Sequence, residues 1–184
     1  DTVERPTRPA AGEVQALALV TEDAAINARL RDALFRVSAT SLDVEAGQRE
    51  LIFDYEDAGG LAVRKRLEFA PKGLSYVVSL TATVTQNGVN LPVAVSSGPG
   101  IGDTVRAVTS TSFLSPSYYQ KPEAIVQRGR TVTRIQSTAL AAEAVHEGIF
   151  TCAGTDDQYF LGAVLPDGRN TRITYETLTL TTPA

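Results

Sequence analysis

The 184-residue chain has no methionine, no tryptophan, one cysteine and one histidine. A single cysteine excludes an internal disulfide and any cysteine-based zinc cluster. A single histidine leaves a Ser or Cys triad hanging on His146 alone. No run approaches the ~20 apolar residues that span a bilayer as a helix. The most apolar short run, residues 159–165, is strand-sized. With 17 Lys+Arg against 21 Asp+Glu, the net charge is -4 and both signs are scattered. The domain-wide basic field of a nucleic-acid binder is missing, so nucleic acid is not an expected partner. Asp, not Met, stands at position 1. The expectation is a fragment cut from something longer, so the lack of a targeting segment is not read as a cytoplasmic address.

What the chain does have is Thr (21) and Val (18), together 39 of 184 residues, which suit half-buried pleated surfaces. Residues 1–12, with Pro6 and Pro9, read as a tail or linker, and residues 13–184 as one β-sandwich domain. The run 13–20 alternates as a strand. After Asp23, a helix N-cap, Ile26, Leu30, Ala33 and Leu34 share one face, which predicts a three-turn peripheral helix. Residues 50–56 and 61–69 form a hairpin about Ala58-Gly59-Gly60. Lys65 falls in its apolar register and is expected near an edge, with a covered stem and a wet amine. Further strands are expected at 74–85, 91–95, 124–127, 130–136, 149–152, 158–165 and 172–182. Turns are expected at Asn87-Gly88, Gly129, Thr155-Asp156-Asp157 and Pro166-Asp167-Gly168. Residues 137–146 read as a loop or short helix. About ten short strands joined by turns give an all-β sandwich.

Candidate chemistry is sparse. His146, between Val145 and Glu147, reads as a solvated or capping residue, and Cys152 as a small buried one. Asp54, Glu56 and Asp57, with Asp156 and Asp157, supply carboxylates without a calcium-loop pattern and read as turn-forming charges, so no metal is expected. Gly98-Pro99-Gly100-Ile101-Gly102 is similar to a phosphate-cradling loop but lacks its Lys and carries a Pro without a donor, which favours a structural turn. Tyr118-Tyr119 reads as a loop anchored by aromatic rings. Tyr159 and Phe160, if on a strand over 158–165, point to opposite faces, so at least one should be in the core.

Several of these segments stand in a recognisable order. The run LIFDYEDAGGLAVRKRLEFAPKGLSYVVSL (51–80), then Gly98-Pro99-Gly100-Ile101-Gly102-Asp103, then Gly148-Ile149-Phe150-Thr151-Cys152-Ala153-Gly154, and Asp157 to Pro166, resembles the large periplasmic domain of the YidC membrane-protein insertases. The most specific piece is Tyr159-Phe160-x-x-Ala163-x-x-Pro166, and the resemblance covers about residues 50–180. Cys152, a smaller side chain, stands where the family commonly has Trp. The Gly-Pro-Lys motif and membrane helices that follow in family members are not in the chain.

The resemblance implies a β-supersandwich of the galactose-mutarotase-like type on the periplasmic side of a bacterial inner membrane. It also implies work on client membrane proteins, alone or with SecYEG and SecDF, through a parent multi-pass protein. Gly98, Pro99, Gly100, Ile101, Gly102, Gly154, Tyr159, Phe160 and Pro166 are its structural motif residues. It implies no catalytic residue and no cofactor. The alternative that the fold type raises is carbohydrate binding or a mutarotase, for which one His and no Trp are a poor endowment.

Overall fold

The computed structural model describes residues 15–45, 47, 49–70, 76–98, 122–157 and 159–177. Among them 49% lie in strands and 7% in helix, so the chain is all-β with one short helix. It divides into two compact units, Asp1–Gly98 and Pro99–Ala184, each with its own buried cluster. Alternation along a sequence shows which residues form strands and not which sheet a strand joins. The division is therefore not visible in the expectation of one domain over 13–184.

In the first unit, β1 (Ala18–Val20) pairs antiparallel with β7 (Ala94–Ser96). A five-stranded antiparallel sheet runs in the order β2 (Arg36–Val37), β3 (Glu50–Glu56), β4 (Leu61–Phe69), β5 (Val78–Gln86), β6 (Val89–Asn90). The expected hairpin forms, with Phe53 opposite Lys65 and Tyr55 opposite Val63. At the β5–β6 turn, Asn87 (φ 52°) and Gly88 (φ 80°) both sit left-handed, the geometry that closes a two-residue hairpin. The helix α1 (Ala24–Asp32) lays Ile26 and Leu30 on Leu19, Leu61, Val63 and Val84.

Three expectations need correction here. The helix stops two residues short of the end of the predicted stripe: Ala33 is extended and Leu34 is 90% exposed. Two residues on, Phe35 packs against the core and tilts onto the Tyr55 ring at 5.8 Å. Burying that ring outweighs extending the helix by two residues. The strand read over 13–20 is regular only from Ala18, because Leu17 sits at φ 57° in a turn. Lys65 is not at an edge, since β4 is paired on both sides. Its ammonium lies 4.6 Å from the centre of Phe35 and 5.9 Å from Phe53, with the Leu17 carbonyl at 3.4 Å. Burial pushes its pKa down.

The second unit holds β8 (Glu123–Arg128), β9 (Thr131–Ile135), β11 (Cys152–Asp156) and β12 (Leu161–Val164) in the order β12-β11-β8-β9. A separate pair joins β10 (Val145–Ile149) to β13 (Asn170–Thr174). Ala124, Val126, Ile135, Phe150 and Ala153 form the core. The strand expected at 149–152 is in fact the junction between β10 and β11. The chain leaves one sheet for the other there, and Phe150 turns inward to 2% exposure under the Arg128 guanidinium at 4.7 Å.

Leu61 is fully buried between α1 and the sheet. Leu61→Ala should destabilise the chain by about 2–5 kcal/mol, read from the urea unfolding midpoint.

Candidate functional site

The residues that the sequence singles out do not converge on one catalytic cluster. Gly98 (φ 101°) comes so near the segment ahead of β1 that an added Cβ would meet the Ala16 Cα at 3.0 Å, which accounts for glycine at this one position. Pro99, Gly100, Ile101 and Gly102 lie outside the described residues, as do Tyr118 and Tyr119. Gly154, Tyr159, Phe160 and Pro166 come together around the β11–β12 hairpin.

That hairpin differs from its expectation. Thr155 and Asp156 continue β11, and the turn begins at Asp157. The Asp157 N–H donates to the Phe160 carbonyl at 2.9 Å, while its Oδ1 accepts from the N–H groups of Tyr159 and Phe160, each at 2.7 Å. Both aromatic residues are thereby held in the turn and not in a strand. Neither is core: Tyr159 is 78% and Phe160 65% exposed. Leu161, Val164 and Leu165 are exposed as well, so a run without charge stands on the outer strand of the sheet. Pro166 is half-buried, and Gly168 (φ 81°) takes the bend that follows.

Gly154 lets β12 close on β11. A Cβ there would overlap the Gly162 carbonyl oxygen and approach the Ala163 Cα to 2.6 Å. Its N–H donates to the Tyr175 hydroxyl at 3.1 Å, and that hydroxyl donates to the Ile125 carbonyl at 2.5 Å, tying β13's end to the four-stranded sheet. Burial pushes the Tyr175 pKa up to about 12. Sequence reasoning missed Tyr175, because its role depends on a contact fifty positions away.

Asp156 is also buried. Its Oδ2 accepts from Arg134 Nε at 3.2 Å and Nη2 at 3.0 Å, and Oδ1 is enclosed without a hydrogen-bond partner. Glu123 stands opposite it in register, 4.0 Å from the same guanidinium. Cys152 is half-buried, with its thiol 3.4 Å from Gln127 Oε1. His146 is neither solvated nor a cap. It lies mid-strand opposite Ile173, its ring edge-on to Tyr175 at 6.0 Å, and its Nε2 is buried without a hydrogen-bond partner.

The remaining acids staple the first unit. Asp57 accepts from Arg29 Nη2 at 2.5 Å and Nε at 3.0 Å, from the Tyr55 hydroxyl at 3.1 Å, and from the N–H groups of Gly59 and Leu61. It pins α1 to the β3–β4 turn. The Arg29 guanidinium beside it holds the Asp57 pKa down at about 2. Asp54 is paired with Arg64 at 2.7 Å, which lowers its pKa too. A shallow depression of about 430 Å3 on this polar face is lined by Arg36, Asp54, Glu56, Arg64, Thr83 and Thr85, but its Arg64–Asp54 pair is already satisfied. Among the described residues no group of three or more His, Cys, Asp or Glu could hold a metal ion, and no helix is long and apolar enough to cross a membrane. No family model, no curated protein and no solved structure matches the chain.

Three substitutions have expected outcomes from this geometry. Because the Asp57 pKa is depressed when folded, its contribution to stability is complete above about pH 4 and is lost as pH falls toward 2. In urea titrations at stepped pH, Asp57→Asn should flatten that acid limb. Gly154→Ala should destabilise by about 1–3 kcal/mol, since backbone must shift to admit the methyl group, whereas Tyr159→Ala should leave the midpoint nearly unchanged.

Proposed function

We propose that this chain is the periplasmic domain of a YidC-type membrane-protein insertase, and that it acts by contacting client membrane proteins or partners such as SecYEG and SecDF. In this reading it performs no covalent chemistry and sits on the periplasmic side of a bacterial inner membrane, held there by other parts of its parent. Its fold is then the supersandwich of that family.

The observation that carries the reading is the β11–β12 hairpin. The most specific stretch of the resemblance, Tyr159-Phe160-x-x-Ala163-x-x-Pro166, coincides with an exposed apolar run on an outer strand. A short, rigidly capped apolar run that the fold does not bury is suited to transient contact with another chain. The carbohydrate or mutarotase reading gains no comparable support. Proton transfer at a sugar carbon calls for a base paired with an acid, and the His146 Nε2 is enclosed with no hydrogen-bond partner.

The test is a photocrosslink in the full-length parent, expressed in cells depleted of their own insertase. With benzoylphenylalanine in place of Phe160, crosslinks to a newly made single-span client or to a translocon subunit are expected. The same reagent in place of Arg31, on the exposed side of α1, should give few. A parent reading frame without membrane helices, or a parent seated in the inner membrane that gives no crosslink from position 160, overturns the proposal.

A further inference from the structure

We infer that the free edge of β12 takes up an extended segment of a partner protein as an added strand, apolar at alternate positions and with a Lys or Arg lying beside Asp157. The inference rests on the reading of this domain as a contact module and names the chemistry of what it contacts.

Backbone register supplies the first argument. The bond from the Asp157 N–H to the Phe160 carbonyl makes those two residues a hydrogen-bonded pair. Antiparallel ladders alternate, so Thr155–Gly162 and Ala153–Val164 are hydrogen-bonded pairs as well. Leu161 and Ala163 fall between them and direct their N–H and C=O groups away from β11. Among the described residues β12 pairs with β11 alone, which leaves those groups as a template for another strand. The edge also lacks the usual protection against pairing. From Tyr159 to Leu165 it carries no charge, no proline and no bulge-forming insertion, and Leu161, Val164 and Leu165 are exposed along it.

Charge selects the partner. At the Asp157 end of the sheet, among the described residues, Asp156 on β11 and Glu123 on β8 join Asp157 against Arg134, which is engaged by Asp156. Among the described residues no Lys or Arg pairs with Asp157, whose Oδ1 is used by backbone N–H groups. At the other end Asp167 and Arg169 neutralise each other at 2.5 Å. The edge is thus acidic at one end and neutral at the other, and a basic residue at the matching end of an added strand is drawn to it. A second copy of β12 is a poorer complement, since two-fold pairing about Ala163 would bring Asp157 against an Arg169 that already has a partner.

The probe is the peptide acetyl-Val-Thr-Val-Thr-Val-Lys-amide, whose C-terminal Lys lies at the Asp157 end when it adds antiparallel to β12, titrated into the 15N-labelled 184-residue chain and followed by NMR. Shifts should concentrate on residues 160–165. The same peptide N-methylated at alternate residues should bind at least about tenfold more weakly, because strand addition uses its N–H groups. Glu in place of its Lys should weaken binding by about threefold or more. On the protein side, Ala163→Pro removes an outward N–H without touching the β11 ladder and should abolish binding with little change in Tm. Asp157→Asn keeps the oxygen that caps the turn and should remove only the preference for Lys over Glu. Equal binding of the N-methylated peptide, shifts centred elsewhere, or self-association of the chain through Leu161 in sedimentation overturns the inference. If that happens while the crosslink from position 160 persists, strand addition alone is wrong. If the crosslink fails too, the contact reading falls with it.

Discussion

Strand β12 can lie where it does because residue 154 has no side chain. The backbone of β11 turns the missing Cβ of Gly154 into the space filled by Gly162 and Ala163, and its N–H is taken by the Tyr175 hydroxyl. A methyl group there would push the two strands apart. The Asp157 cap would then lose its register with Phe160, and Tyr159 to Leu165 would have no sheet to stand on. The exposed apolar run is thus not loose chain. It is held by one close backbone approach and one carboxylate that accepts two N–H groups.

The polar groups of the two units follow one rule: a buried or half-buried charge is spent on holding elements together. Asp57 gathers Arg29, Tyr55 and two backbone N–H groups and so sets α1 over the sheet. Arg134 answers Asp156 between β9 and β11. Lys65, whose pKa burial lowers, is met by the faces of Phe35 and Phe53 and by the Leu17 carbonyl. Such groups cannot double as acids or bases without loosening the fold. This is why the carboxylates, numerous in the sequence, are a poor guide to chemistry here.

The sequence made the all-β class legible, along with the hairpin of β3 and β4, the Asn87-Gly88 turn and the Asp23 cap, because each is decided by residues within a few positions of one another. Features set at long range were illegible. Phe35 ends the helix by packing against Tyr55, twenty positions on. Lys65 looks like an edge residue only while its neighbouring strands are unknown. His146 reads as solvated until β13 is laid beside it. The motif residues Tyr159 and Phe160 were visible as a motif, but alternation placed them in a strand and at least one in the core. The turn moved because Asp157, not Thr155, carries the carboxylate that can reach the next two N–H groups.

The proposed contact surface depends on β12 being paired through one side only. Native-state hydrogen exchange of the 184-residue chain reads this directly, one amide at a time. Gly162 and Val164, whose N–H groups face β11, should be protected, and Leu161 and Ala163, facing away, should exchange much faster. Equal protection of all four amides would show that the outer edge is already occupied within the chain, and would contradict the placement on which the proposed contact surface depends.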